Sequence, residues 1–176
     1  MKKLLFVLIV FTFFFCGLIA FAQSEDDFEI RQNAQGGITI TQYIGAATEV
    51  VIPRTIEGIR VTEIGQQAFS SSIYASTRRY HSDPLIRVVI PDTVTSIRQM
   101  AFAGNELTNI IIPSSVTDIG AMAFDPNPLT SITLPANLEF SIFAVSPFPN
   151  NLADFYTGQG RRAGTYTWSG RLWSRQ

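Results

Sequence analysis

The sequence predicts a repeat solenoid, a short stack of about four coils with a parallel β ladder and a β-hairpin cap at each end. Two observations predict it: a 22-residue pattern recurs through the middle of the chain, and glycine-punctuated, β-rich segments flank that pattern. The predicted division is a signal peptide over 1–22, an N-terminal cap over 23–47, repeats over 48–150 with an insertion at 70–84, and a C-terminal cap over 151–176.

The first 22 residues have the layout of a secretory signal peptide. Lys2-Lys3 precedes an apolar run, and Ala20-Phe21-Ala22 places small residues at the two positions that signal peptidase reads. We expect cleavage after this site, which leaves no membrane span. The 19 residues of 4–22 are also long enough for an uncleaved anchor. Cys16 suggests lipidation as a further alternative, but the bulky Phe15 before it disfavours a lipobox.

The predicted mature chain has 154 residues, which suits a single domain. It contains no cysteine, so burial alone must stabilise an exported fold. Its 11 arginines face 14 acidic residues, a net charge of −3, and this mildly acidic balance disfavours nucleic acid as a partner.

The repeat is visible in three segments that begin at Leu85, Leu107 and Leu129, and an earlier, longer copy begins near Thr48. Each copy has a β-branched strand with alternate residues directed inward, and then a proline that ends the strand. A V-x-x-I stretch and an Ala-Phe pair then return along the opposite wall. Because no copy can bury its apolar residues alone, the copies must stack.

The Ala-Phe pair supplies the predicted centre of each coil. Phe102 and Phe124 are equivalent positions of successive copies, so we expect both to be core residues. In the last copy the pair is absent, since Ser141, Val145 and Ser146 occupy this part of the pattern.

The pattern L-x-x-I-x-I-P-x-x-V-x-x-I-x-x-x-A-F resembles the BspA-like leucine-rich repeats of bacterial secreted and surface proteins, over about residues 37–150. The resemblance implies a leucine-rich-repeat stack and an adhesion-type role. Common leucine-rich repeats also carry an asparagine that hydrogen-bonds the turn. Thr93, Ser115 and Asn137 are assigned to the corresponding places, so a weak, mixed ladder of side-chain bonds is expected.

Both flanks of the repeats are predicted to form hairpins. At the N-terminal flank, Phe28–Ile30 and Ile38–Ile40 surround a glycine-rich turn. The C-terminal flank has two short runs, 164–169 and 171–174, with aromatic residues and arginines and no acid after Asp154. This tail is interpreted as a cap, and the alternative is an aromatic, basic platform for a glycan or an envelope polymer.

Two surfaces are candidates for binding a protein or glycan ligand. The first is the outer face of the strand ladder, where alternation exposes one set of residues. That set is Glu49, Val51, Arg87, Val89, Asn109, Ile111, Ser131 and Thr133. The second is the insertion, with Arg78, Arg79, Tyr80 and His81. Ordinary strand propensity and a tolerated surface loop are the respective alternatives.

No catalytic motif appears in the sequence. The predicted mature chain has one histidine and no cysteine, so no Cys/His zinc site is expected. G-x-S-x-G, P-loop and dinucleotide fingerprints are absent from it. Acids at turns of different coils are interpreted as solvated: Asp92, Glu106, Asp118 and Asp125. We therefore expect no enzyme, no cofactor and no metal, but an exported interaction module, secreted or at the cell surface. The alternative is a periplasmic structural protein that contacts peptidoglycan or another envelope component.

Overall fold

A computed structural model of the chain describes residues 23–71, 83–140 and 146–176. The predicted signal peptide, most of the predicted insertion (72–82) and residues 141–145 lie outside the described residues.

The described chain begins with a 3-10 turn, Glu25–Asp27, and an antiparallel hairpin. The hairpin consists of β1 (Phe28–Gln32) and β2 (Ile38–Tyr43), with Ile30 paired to Ile40. Asn33 shapes the connection, because its Oδ1 accepts a hydrogen bond from the Gly37 N–H at 3.0 Å. The hairpin predicted from the glycine-rich turn is therefore present.

Short strands follow in the repeats and form two ladders. In chain order they are β3 (Glu49–Val51), β4 (Thr55–Ile56), β5 (Ile59–Ile64), β6 (Arg87–Val89), β7 (Ser96–Ile97), β8 (Asn109–Ile111), β9 (Asp118–Ile119), β10 (Ser131–Leu134) and β11 (Glu139–Phe140). In the first ladder, β3 pairs with β6 and β8 with β10, all parallel, and β6 lies against β8. In the second ladder, β2, β5, β7, β9 and β11 pair in that order, also parallel. The fold is thus a strand-rich repeat structure with parallel strands.

The sequence explains why the first-ladder strands are short. The central residue of β3, β6 and β8 is buried between two exposed neighbours, as strand alternation requires. A buried aliphatic residue and a proline follow each strand, as at Ile52-Pro53 and Ile112-Pro113. Proline has no N–H for the ladder and a fixed φ, so the strand ends and the chain turns towards the second ladder.

A column of aromatic rings fills the space between the ladders. Ring centroids of Tyr43 and Phe69 are 5.5 Å apart, those of Phe69 and Phe102 5.0 Å, and those of Phe102 and Phe124 5.2 Å. Phe148 continues the column 5.3 Å beyond Phe124, with the planes 10° apart. The interpretation that the last copy lacks this position is therefore wrong. Phe148 comes two residues later than a strict 22-residue period places it, and its aromatic ring fills the same place.

The asparagine expectation is also wrong, because the ladder is formed by Asn105 and Asn127, three residues after the core phenylalanines. Asn127 is buried, its Oδ1 accepts the Leu107 N–H at 3.1 Å, and its Nδ2 donates to the carbonyls of Phe102 and Phe124 at 2.9 and 2.8 Å. Asn105 makes the equivalent bonds one repeat earlier. Each amide satisfies three backbone groups that would otherwise be buried without partners.

The C-terminal tail contains a helix, α1 (Leu152–Gly158), and a hairpin of β12 (Gly164–Trp168) and β13 (Trp173–Arg175). The tail hairpin was predicted, whereas the helix was not. β12 pairs antiparallel with β10, so the hairpin extends the first ladder. Tyr156 attaches α1 to the last repeat: its hydroxyl donates to the Pro135 carbonyl at 2.7 Å and accepts the Leu138 N–H at 2.9 Å. Burial raises the pKa of this phenol. Among the described residues, no helix is long and apolar enough to cross a bilayer.

Candidate ligand-binding surface

The outer face of the first ladder carries a row of exposed aliphatic side chains. Val51, Val89 and Ile111 are 45%, 39% and 67% exposed, although the residue before each of them is buried. The register places Val51 beside Val89, and the strand of Ile111 lies against that of Val89. The exposure predicted from strand alternation is therefore observed, and these three residues form one stripe, which we call the aliphatic stripe.

Polar residues at the first position of each strand border the aliphatic stripe along one edge. Glu49 and Arg87 are register partners, and their carboxylate and guanidinium lie 3.5 Å apart. Asn109 is exposed at the equivalent place of β8. Because both members of the ion pair are more than half exposed, the pair adds little to stability and remains open to a ligand.

The predicted surface is wrong at its C-terminal edge. Ser131 and Thr133 were expected to be exposed, but both are partly buried. The reason is the tail hairpin, since β12 covers the free side of β10 and the hydroxyl oxygens of Thr133 and Thr165 lie 3.0 Å apart. The open part of the surface is therefore confined to β3, β6 and β8.

One exposed aliphatic residue on this side of the molecule was missed. Ile86 is 47% exposed just before β6, and its N–H donates to the carbonyl of Thr48 in the preceding repeat at 2.9 Å. Strand alternation counted back from the buried Val88 would direct Ile86 inward. Leu85 occupies the core instead, because the strand begins only at Arg87.

The second candidate surface cannot be compared with its prediction. Arg78, Arg79, Tyr80 and His81 lie outside the described residues, so their place in the fold remains a prediction.

The acids considered for chemistry come from different repeats. Asp92 forms an ion pair with Arg54, and Asp118 lies 4.0 Å from Arg98. Asp125 is partly buried, and burial raises the pKa of its carboxyl above the ordinary value of 3.8. In the described ranges 23–71, 83–140 and 146–176, no group of three or more His, Cys, Asp or Glu side chains is arranged to hold a metal ion.

Comparison with protein-family models decides the class of repeat. Residues 72–147 match the model described as a BspA type leucine-rich repeat region of six copies. The repeats of this segment are therefore similar to BspA-type leucine-rich repeats. The resemblance predicted from the sequence is confirmed. The earlier copy, outside the matched residues, pairs its strand β3 with β6 and stacks Phe69 on Phe102 in the same manner as the BspA-type repeats.

Solved structures of bacterial leucine-rich repeat proteins are similar to the chain. A leucine-rich repeat protein from Bacteroides capillosus shares 25% sequence identity with a TM-score of 0.54, covering 72% of this chain and 95% of that one. The leucine-rich repeat protein of T. pallidum shares 27% identity with a TM-score of 0.48, covering 68% of this chain. The match spans only 63% of the T. pallidum protein. A search of curated proteins found no match.

Proposed function

We propose that this chain is an exported, non-enzymatic interaction module that binds a protein or glycan ligand at the bacterial surface. In this proposal, residues 1–22 direct export and are removed. The BspA-type repeats then form a short solenoid of about four coils, with residues 23–47 and 151–176 as its caps. The family match supports an interaction role, because repeat proteins of this kind present extended surfaces to partners.

The observation that carries the proposal is the aliphatic stripe. Val51, Val89 and Ile111 are side by side on adjacent strands and are not needed in the core, which their buried neighbours fill. Single exposed aliphatic residues are ordinary, but a row continued over three strands forms a patch. With polar residues along one border, the patch has the apolar centre and polar rim of a protein-binding surface.

Three contacts support the assignment of the tail as a cap. β12 satisfies the open edge of β10, Tyr156 bonds to the last repeat, and the Trp173 indole donates to the Asn150 carbonyl at 3.0 Å. A stack of repeats whose last unit faced water would expose its core. An ordered tail in this place therefore covers the core, as a cap does. At the other end, the hairpin of β1 and β2 covers the edge of the second ladder, where β2 pairs parallel with β5.

The test of the binding surface is the double variant Val89→Thr with Ile111→Thr. Threonine keeps the β-branch and removes apolar surface, so the unfolding free energy should change by less than about 1 kcal/mol. Binding to immobilised host matrix proteins or glycans should fall by about tenfold or more. Matched controls are Ile44→Thr and Leu172→Thr, because these residues are 47% and 73% exposed but lie outside the stripe.

Two results would contradict the proposed surface. If the controls weaken binding as much as the double variant, the effect is general surface hydrophobicity. If the double variant binds normally while changes at Arg78, Arg79 and Tyr80 abolish binding, the ligand site is the insertion.

The cellular location has its own test. Protease added to intact cells should cleave a surface-displayed protein and should spare a periplasmic one. Protection from protease, together with co-purification with peptidoglycan, would favour the alternative structural role in the periplasm.

A further inference from the structure

A polar groove of about 640 Å³ crosses the second ladder at the C-terminal ends of β5, β7 and β9. It lies on the other ladder from the aliphatic stripe. Its principal side chains are Arg31, Glu63, Gln66, Arg98, Gln99 and Ala121. Its volume lies within the range of about 300–1,000 Å³ that is usual for small-ligand sites.

The charged pair at the centre of the groove is held in place. Thr39 Oγ1 donates to Glu63 Oε1 at 3.1 Å, and Arg98 Nε donates to Glu63 Oε2 at 2.7 Å. Both carboxylate oxygens are therefore occupied, and the Glu63 side chain is only 16% exposed. The guanidinium of Arg98 lies between Glu63 and Asp118. Arginine has five N–H donors, so Arg98 retains donors for a ligand.

Two glycines line the groove at the places that correspond to Arg98 in the neighbouring repeats. Gly65, Arg98 and Gly120 occupy the same place in successive repeats, directly after β5, β7 and β9. A Cβ atom at Gly65 would lie 2.6 Å from the Ile40 carbonyl oxygen, and one at Gly120 would lie 2.5 Å from the Gln99 nitrogen. A side chain at either place would collide with the backbone of the neighbouring repeat, so glycine permits the close approach of adjacent repeats beneath the groove.

Arg31 supplies the cation of this groove that is free to bind. It is exposed on β1, and within the described residues it makes no ion pair within 4.0 Å. Gln66, Gln99, Thr39 and Thr41 also line the groove, and the described part of its lining includes no aromatic or large aliphatic residue. This environment suits a ligand that has several hydrogen-bonding groups and carries a carboxylate.

We propose that the groove binds an acidic saccharide. A sugar carboxylate would pair with Arg31, and ring hydroxyls would bond to Arg98, Gln66 and Gln99. A peptide ligand with apolar side chains is disfavoured, because the groove offers no apolar pocket to hold them. A densely charged polyanion is disfavoured, because Glu63 and Asp118 offset the charge of Arg98. This site is independent of the aliphatic stripe.

The experiment is calorimetric titration of the exported protein with two oligosaccharides of equal length. One alternates glucuronic acid with N-acetylglucosamine, and the other contains N-acetylglucosamine alone. The acidic oligosaccharide should bind at least about tenfold more tightly than the neutral one. Its affinity should fall as the salt concentration rises, because the Arg31 contact is at the surface.

Two variants and one control locate the site. Arg31→Gln should weaken acidic-saccharide binding by about tenfold, whereas Arg60→Gln removes an exposed arginine outside the groove lining and should change nothing. Ala121→Gln should block the groove. Gln66 and Gln99 occupy the equivalent place in the two preceding repeats and are exposed, whereas Ala121 is buried, so the melting temperature of this variant is measured before its binding.

Several outcomes would overturn the proposal: equal binding of both oligosaccharides, no binding of the acidic one, or equal effects of Arg31→Gln and Arg60→Gln. If Ala121→Gln fails to fold, Gln99→Ala replaces it and should also weaken acidic-saccharide binding. The Val89→Thr, Ile111→Thr double variant should bind the saccharide normally. Failure of the groove is therefore distinguishable from failure of the aliphatic stripe.

Discussion

Replacing Phe102 by alanine tests the aromatic column more directly than any other single change. The Phe102 ring is fully buried between the rings of Phe69 and Phe124, with centroids 5.0 and 5.2 Å away. Alanine cannot reach either neighbour, so the change removes the ring and leaves a cavity between two repeats.

The magnitude follows from the burial and the two ring contacts. Truncation of a buried phenylalanine to alanine usually costs about 3–5 kcal/mol of unfolding free energy. Each aromatic pair contributes about 0.5–1.5 kcal/mol beyond its area burial, and Phe102 takes part in two stacked pairs. We therefore expect Phe102→Ala to lose close to 5 kcal/mol. Phe148→Ala should lose a similar amount, because the buried Phe148 ring also has two aromatic neighbours, the stacked ring of Phe124 and the edge-on ring of Phe140 at 5.9 Å.

Urea denaturation followed by circular dichroism measures these losses. The Phe102→Ala and Phe124→Ala changes should be non-additive by about 0.5–3 kcal/mol, since the two rings are in contact. Phe102→Leu, which preserves most of the buried volume, should cost less than about 1.5 kcal/mol. A loss below about 1 kcal/mol for both alanine variants would refute the column and the repeat register from which it was predicted.

The remaining predictions concern the termini, the buried Asn127 and the partly buried Asp125. Intact mass of the exported protein should place its first residue at Gln23, and an acylated start at Cys16 would contradict this. Asn127→Leu should lower the unfolding free energy by about 3 kcal/mol or more, because three buried backbone groups lose their partner. An unchanged urea midpoint would contradict the ladder. Deleting 151–176 should lower the melting temperature and increase aggregation, and a truncated protein that melts normally but loses envelope binding would indicate a binding module instead. Since burial raises the folded pKa of Asp125, its contribution to stability decreases as pH rises from its ordinary value of 3.8 through the folded pKa. Asp125→Asn should therefore be more stable than the wild type at neutral pH and should lose this part of the pH dependence, as thermal melts across pH will measure.

The sequence by itself determined the features that depend on a local period. Alternation with a period of two placed Val89 and Ile111 outside while Val88 and Ile110 are buried, because successive side chains of a strand point to opposite faces. The 22-residue spacing made Phe102 and Phe124 equivalent, and both are buried in one column. Both relations follow from spacing along the chain and needed no knowledge of which segments pair.

Only the tertiary structure decided the features that depend on contacts between distant segments. Phe148 enters the column two residues out of period, because contact with the Phe124 ring selects it and sequence spacing does not. Asn127 bonds to Leu107 and Phe102, 20 and 25 residues away, so the turn asparagine could not be assigned from local pattern.

The aliphatic stripe and the polar groove differ in the same way. The aliphatic stripe was visible in the strand pattern, but its limit at Thr133 depends on β12, which pairs with a strand more than thirty residues earlier. The polar groove joins Arg31, Glu63 and Arg98 from three separate strands or strand ends. No spacing in the sequence marks such a set, because parallel pairing brings its members together only after the chain has folded.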